Sequence, residues 1–207
     1  MKSWTPAEGI ERHRAALRPL SNDEFLARLR SVEPLPDVDD LDPAWDDPNT
    51  FDRAELLVAF ADQIGERRLI PAIAPLFERA ALGDAYEMMQ SIRHGPERAV
   101  SPDWTVLTAI MRPLVTNERA GCRRWAVREL GILRDPSALN DLIGALDDPQ
   151  ALVRAEACTS LSMLADVLGD EPRAMVRAEL VARSESDPSA EVRSAAAFAT
   201  GIGDNSK

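Results

Sequence analysis

Asp148-Pro149-Gln150-Ala151-Leu152-Val153-Arg154-Ala155-Glu156-Ala157-Cys158-Thr159-Ser160-Leu161-Ser162-Met163-Leu164 is the stretch that decides the fold. Val153, Ala157, Leu161 and Leu164 stand at i, i+4, i+8 and i+11, so they line one face of a helix. Alanine at the second of these positions allows a neighbouring helix to approach closely. Asp148-Pro149 puts a side-chain acceptor just before a proline, which reads as a helix start where the missing N–H costs nothing.

The register recurs on both sides. Upstream it reads Cys122-Arg123-x-x-Ala126-x-x-x-Leu130-Gly131-x-Leu133, and downstream Val192-Arg193-x-x-Ala196-x-x-x-Thr200-Gly201. Six residues before each arginine stands a short polar residue: Asn117, Asp148 or Asp187. The arginines are 31 and 39 residues apart, the longer gap being absorbed around residues 167–172. Each helix pair leaves an apolar face that only the next pair covers, so such repeats stack. The aspartates can cap their helices and accept from an arginine of a neighbouring turn or repeat. Asp148, Arg154, Asp187 and Arg193 therefore read as a structural ladder.

This pattern resembles the HEAT-repeat family, especially the short bacterial form also found in phycobilisome lyases. The resemblance is clear over 116–203 and weaker over 51–77, where Ile64 to Pro71 parallels Leu133 to Asn140. Residues 82–115 fit only as a degenerate pair without the Val-Arg. The resemblance implies an all-α protein, a right-handed α-solenoid of about five stacked pairs, with the Val-Arg helix second in each pair and lining the concave face. The implied pairs are 22–31 with 51–64, 67–81 with 84–93, 103–115 with 118–133, 136–146 with 149–168, and 172–183 with 188–201.

Composition agrees with an all-helical chain. In 207 residues, apolar types make up 45% but aromatics only 5%, so alanine and leucine, the strongest helix formers, do most of the packing. Almost no stretch alternates as a half-buried strand would. Prolines punctuate the helices: Thr5-Pro6, Ser101-Pro102, Asp135-Pro136 and Asp187-Pro188 repeat the cap-then-proline arrangement, and Thr5 to Glu8 and Ser21 to Glu24 have capping-box spacing. The predicted helices are 6–18 and 22–31, followed by those of the pairs above. Lysine occurs only at Lys2 and Lys207, which is how a GC-rich bacterial genome writes basic residues.

Organisation follows: N-terminal helices over 1–32, an acidic Pro-rich loop over 33–50, degenerate pairs over 51–115, clear repeats over 116–203, and a tail over 204–207. The net charge is −11, and the segment Glu33–Asp47 carries −7 of it with no lysine or arginine. Such a balance lacks the basic footprint that nucleic acid requires. Met1–Leu20 has no apolar core of a signal peptide, and no run approaches a membrane span, so a cytoplasmic address is expected. Cys122 and Cys158 fit a reducing compartment and read as core.

The sequence carries no nucleotide loop, no metal-ligand spacing and no nucleophile–base arrangement, so no catalytic, cofactor or metal residue is expected. His13 and His94 read as chance surface histidines. The expectation is a non-catalytic protein-binding module with a basic partner, and its sharper form is an immunity-type inhibitor of a basic toxin. A bilin-lyase-like or chaperone protein of the phycobilisome lyase type is the alternative, and a HEAT-like DNA-repair scaffold a third reading that lacks its basic groove. Candidate partner-binding residues are Asp39, Asp40, Asp42, Trp45, Asp46 and Asp47 in the acidic segment, with Trp125 and Arg128 on the Val-Arg helix. Two readings of the segment stay open, a recognition arm or a solvated loop with Trp45 tucked against the first helix pair. An exposed Trp125–Arg128 pair would mark a binding surface, since both residue types anchor interfaces.

Overall fold

Some helices begin on side-chain caps, and others, those starting at Ala120, Ala151, Asp170 and Ala190, begin without one. In the computed structural model, which describes residues 7–36, 47–80 and 86–201, Ser21 and Glu24 form the expected capping box at the start of the second helix. The helices are α1 (Ala7–Leu17), α2 (Asn22–Ser31), α3 (Pro48–Arg67), α4 (Ile73–Arg79), α5 (Tyr86–Val100), α6 (Trp104–Met111), α7 (Ala120–Leu133), α8 (Leu139–Ala145), α9 (Ala151–Ala165), α10 (Asp170–Ser186) and α11 (Ala190–Thr200). Among the described residues there is no strand, as expected. The chain divides into two compact units, residues 1–110 and residues 111–207.

Several boundaries differ from the sequence reading; the helix expected over 67–81, for example, is a 3-10 turn at Ile70–Ala72 followed by the seven residues of α4. The helix expected from residue 51 starts at Pro48, because Asp47 caps it by accepting from the Asn49 N–H at 2.9 Å. The acidic segment is therefore shorter than 33–50. The helix expected to stop at residue 93 runs through Pro96 to Val100. Ser101 does not cap α6. Asp103 does so, accepting from the Thr105 N–H at 3.2 Å. The Thr5-Pro6 start and the Thr5 capping box lie outside the described residues.

In the first unit, α3 packs against α1 and α5, and α2 against α4. Phe25 and Phe60 meet edge-to-face with centroids 4.8 Å apart, and the Arg67 guanidinium lies 4.8 Å over the Phe25 ring. Arg67 also donates to the Leu17 and Leu20 carbonyls at 2.9 and 2.8 Å, tying the end of α1 to the end of α3. The α3–α5 crossing is close enough that a Cβ on Gly95 would sit 1.8 Å from the Ala61 carbonyl oxygen. Only glycine permits that approach.

In the second unit, α7 packs on α9, α9 on α11, and α10 on α11. Cys122, Ala126, Leu130, Val153, Ala157, Leu161, Leu164, Val192 and Ala196 are all buried, so these positions of the register form the core, while Leu133 and Thr200 at its ends are only half-buried. Gly131 faces Ser160, where a Cβ would come within 2.5 Å of the serine Cβ.

Both units use one module. Helix α3 ends on Arg68 and α7 on Arg134, each in the left-handed region with φ of 53° and 52°. Each is followed by a short 3-10 turn, Ile70–Ala72 or Pro136–Ala138, and then by a helix of seven residues. These caps align Ile64-Gly65 with Leu130-Gly131. The parallel expected from sequence, Ile64 with Leu133, is three residues out of step.

Candidate functional site

The acidic segment is fixed at both described ends. Leu35 is 1% exposed, and its N–H donates to the Arg79 carbonyl at 2.8 Å. Glu33 pairs with Arg53, which neutralises one of the seven acids. Asp47 closes the other end as the cap of α3 and is exposed. Asp39, Asp40, Asp42, Trp45 and Asp46 lie outside the described residues, as does the expected packing of Trp45.

Trp125 and Arg128 do not form an exposed pair. Trp125 is 2% exposed and its Nε1–H donates to Glu129 at 3.2 Å, so it is a core residue. Arg128 binds the Glu156 carboxylate of α9 with both Nε and Nη2, at 3.0 and 2.7 Å. Arg124 reaches the same carboxylate at 3.4 Å. Residues three apart differ by about 60° around a helix. That angle puts the indole inward and the guanidinium toward the next helix. The sequence reading missed Glu156 as the partner, although Arg124 and Arg128 at i and i+4 signal a shared acceptor.

The expected ladder is present and mostly buried. Arg123 grips Asp148 through Nε and Nη2 at 2.6 and 2.9 Å, while its Nη1 donates to the carbonyls of Asn117 and Glu118 at 3.0 Å each. Arg154 repeats this one turn of the array later. Its Nε and Nη2 bind Asp187 at 2.9 Å each, and its Nη1 donates to the Asp148 and Pro149 carbonyls at 2.9 and 3.3 Å. Each aspartate also accepts a backbone N–H two residues on, Gln150 or Ser189, at 2.8 Å. The carboxylate thus shapes the turn into its own helix and receives the arginine of the preceding one. The Arg154 guanidinium, with the Ser189 N–H second among the favourable contacts, holds the Asp187 carboxyl below the usual carboxylate range.

Other reactive groups are placed as follows. Cys122 and Cys158 are buried thiols that form no disulfide, and burial pushes the Cys158 thiol up to about 11. His94 is an exposed residue beside Glu97, but His13 is not a surface histidine. Its side chain is 11% exposed and its Nε2 lies 3.2 Å from Asp52, because α1 packs on α3. His13, Asp52 and Glu55 could each offer a ligand atom to one cation, but the Arg12 guanidinium already pairs with Asp52. In the second unit a groove of about 480 Å³ runs between the 112–116 turn and α8, lined by Asn117, Arg123, Asn140, Asp141 and Asp148. Among the described residues no helix is long and apolar enough to cross a membrane.

This arrangement, paired helices whose second members are cross-linked by an Arg–Asp ladder, defines a helical-repeat protein. A family model described as HEAT repeats matches residues 107–201, and that part of the chain belongs to the HEAT-repeat family. The match begins before residue 116, taking in the end of α6 and the 112–116 turn. No curated protein matches the chain. HEAT repeats are generally protein-interaction modules.

Proposed function

We propose that this protein is a non-catalytic binding module of the bacterial cytoplasm, its pairs stacked as a right-handed α-solenoid of about five, and that its partner is a basic protein. The observation that carries the second half is charge. The segment 33–47 holds seven acids and no lysine or arginine, and only Glu33 among them has an arginine partner within the described residues. Anchoring by Leu35 and Asp47 fixes where that charge is tethered. Concentrated charge raises encounter rates with an oppositely charged partner, by about tenfold or more at low salt. Inhibition of a basic toxin is the sharper form of this reading.

The test neutralises Asp39, Asp40, Asp42 and Asp46 to Asn and leaves Asp47 in place, since Asp47 caps α3. Association with the protein recovered by affinity capture from the host is followed by stopped flow across a salt series. The neutralised chain should associate about tenfold more slowly at low salt and show a flatter salt dependence. Trp45→Ala should speed dissociation and leave the salt slope alone. Equal association rates and equal slopes for wild type and neutralised chain would sink the role of the segment.

A further inference from the structure

We propose that the face of α11 carrying Arg193 and Phe198 is a docking seat for a partner protein's helix that begins with an aspartate cap. The molecule holds two filled examples of such a seat, and neither involves the acidic segment.

Arg123 and Arg154 hold one pose. In each, Nη1 binds the carbonyls six and five residues back, and the Nε–Nη2 edge takes both oxygens of the next repeat's aspartate. Arg193 is held by the same carbonyls, with Nη1 donating to Asp187 at 2.7 Å and to Pro188 at 3.1 Å. Its Nε–Nη2 edge meets no carboxylate among the described residues. The guanidinium is thus oriented for a ligand that no described residue supplies, and two parallel N–H donors in a fixed fork select a carboxylate.

Phe198 gives a second observation on the same helix. It occupies the register of Arg128 on α7, the position that reaches across to Glu156 on α9. In α11 that position bears a large apolar side chain that is 85% exposed. The seat therefore combines an oriented guanidinium with an uncovered aromatic ring one and a half turns further along the helix. Inside the molecule, the group that fills an equivalent seat is a helix preceded by Asp-Pro, as at Asp148-Pro149 and Asp187-Pro188. The occupant is accordingly acidic at the contact, unlike the basic partner of the acidic segment, so the two proposals fail separately.

The probe is a labelled synthetic peptide copying residues 166–201, which contains α10, Asp187-Pro188 and α11. Fluorescence anisotropy with the full chain should show binding that weakens at least about tenfold for Arg193→Ala in the chain, for Phe198→Ser in the chain, and for Asp187→Ala in the peptide. Phe198→Ser touches only an exposed side chain, so it tests the seat without loss of fold. A second form avoids dependence on the peptide folding alone: a chain in which residues 166–201 are repeated directly after Gly201. Its melting midpoint should rise by about 5 °C, and Asp187→Ala in the added copy should remove the rise. Binding indifferent to both chain variants would overturn the proposal. So would absence of binding together with an unchanged midpoint. Concentration-dependent dimerisation that is lost on Asp47→Asn, which keeps a capping side chain on α3 and removes the carboxylate, would also overturn it, placing a second copy in the seat instead.

Discussion

The two units solve one packing problem with opposite chemistry. At the register position of Arg128, the first unit has Asp62. On α7 the arginine reaches forward to Glu156 of α9. On α3 the aspartate instead receives Arg98 of α5 at 3.4 Å and Arg14 of α1 at 2.9 Å through its Nε. The charges are reversed and the helix-to-helix tie is kept. The second unit adds the Arg–Asp ladder at the turns. In place of that ladder, the first unit has a glycine crossing at Gly95, an aromatic pair, and Arg67 gathering carbonyls from α1 and the turn that follows it. A repeat is therefore a geometry that several residue sets satisfy, and only one of those sets forms a recurring motif.

The sharpest break of the comparison is Gly95→Ala. The added Cβ would meet the Ala61 carbonyl oxygen at 1.8 Å, and backbone cannot yield as a side chain does. We expect a net loss of about 3 kcal/mol or more, outweighing the helix propensity gained by alanine. Hydrogen exchange read by mass spectrometry should show the loss first in residues 48–100. Unchanged protection there would mean that the α3–α5 crossing is not close.

A smaller effect is expected from the ladder. Asp187→Ala leaves the buried edge of Arg154 without its carboxylate and should cost about 3 kcal/mol at neutral pH. The same residue gives a pH signature. The Asp187 carboxyl is held below its ordinary value of 3.8, so the unfolded chain binds this proton more readily than the native one does. Its contribution is complete above that value and is lost as the pH falls through the lower, folded value. Urea midpoints from pH 6 to pH 2 should converge for wild type and Asp187→Ala at the acid end. A constant gap between them would place the stabilisation elsewhere.

The smallest effect has the opposite sign. Gly144 is exposed in α8, and a Cβ there would meet nothing within 4 Å. Gly144→Ala should stabilise the second unit by about 0.5–1 kcal/mol, because alanine loses less backbone freedom on entering a helix. A thermal melt that shifts downward would show that this glycine has a packing role.

The same contrast explains what could be read in advance. The second unit was legible because Val153, Ala157, Leu161 and Leu164 repeat a core face at helical spacing, and because Asp148 and Asp187 recur at a fixed distance before their arginines. The first unit was half legible. Ile64-Gly65 reads as repeat-like, but its apparent match to Leu133-Arg134 is three residues out of step, since Arg68 and Arg134 are left-handed caps that carry no glycine signal. The sequence reading of Trp125 and Arg128 identified one face and missed that a 60° step separates core from edge. The extension of α5 through Pro96 was also hidden, because the local signal of proline is to stop a helix, whereas here the helix continues.

By itself, then, the sequence determined that this chain is helical, where most helices begin, and that Arg–Asp spacing repeats. Those properties follow from capping, propensity and periodicity, which act over a turn or two of chain. Only the tertiary structure decided which charges pair, that Trp125 is core, that Gly95 is a backbone contact, and that Arg193 is oriented without a carboxylate among the described residues. Those depend on which helix lies alongside, and contacts between residues some 30 positions apart leave no mark on the local pattern unless the same solution is written more than once.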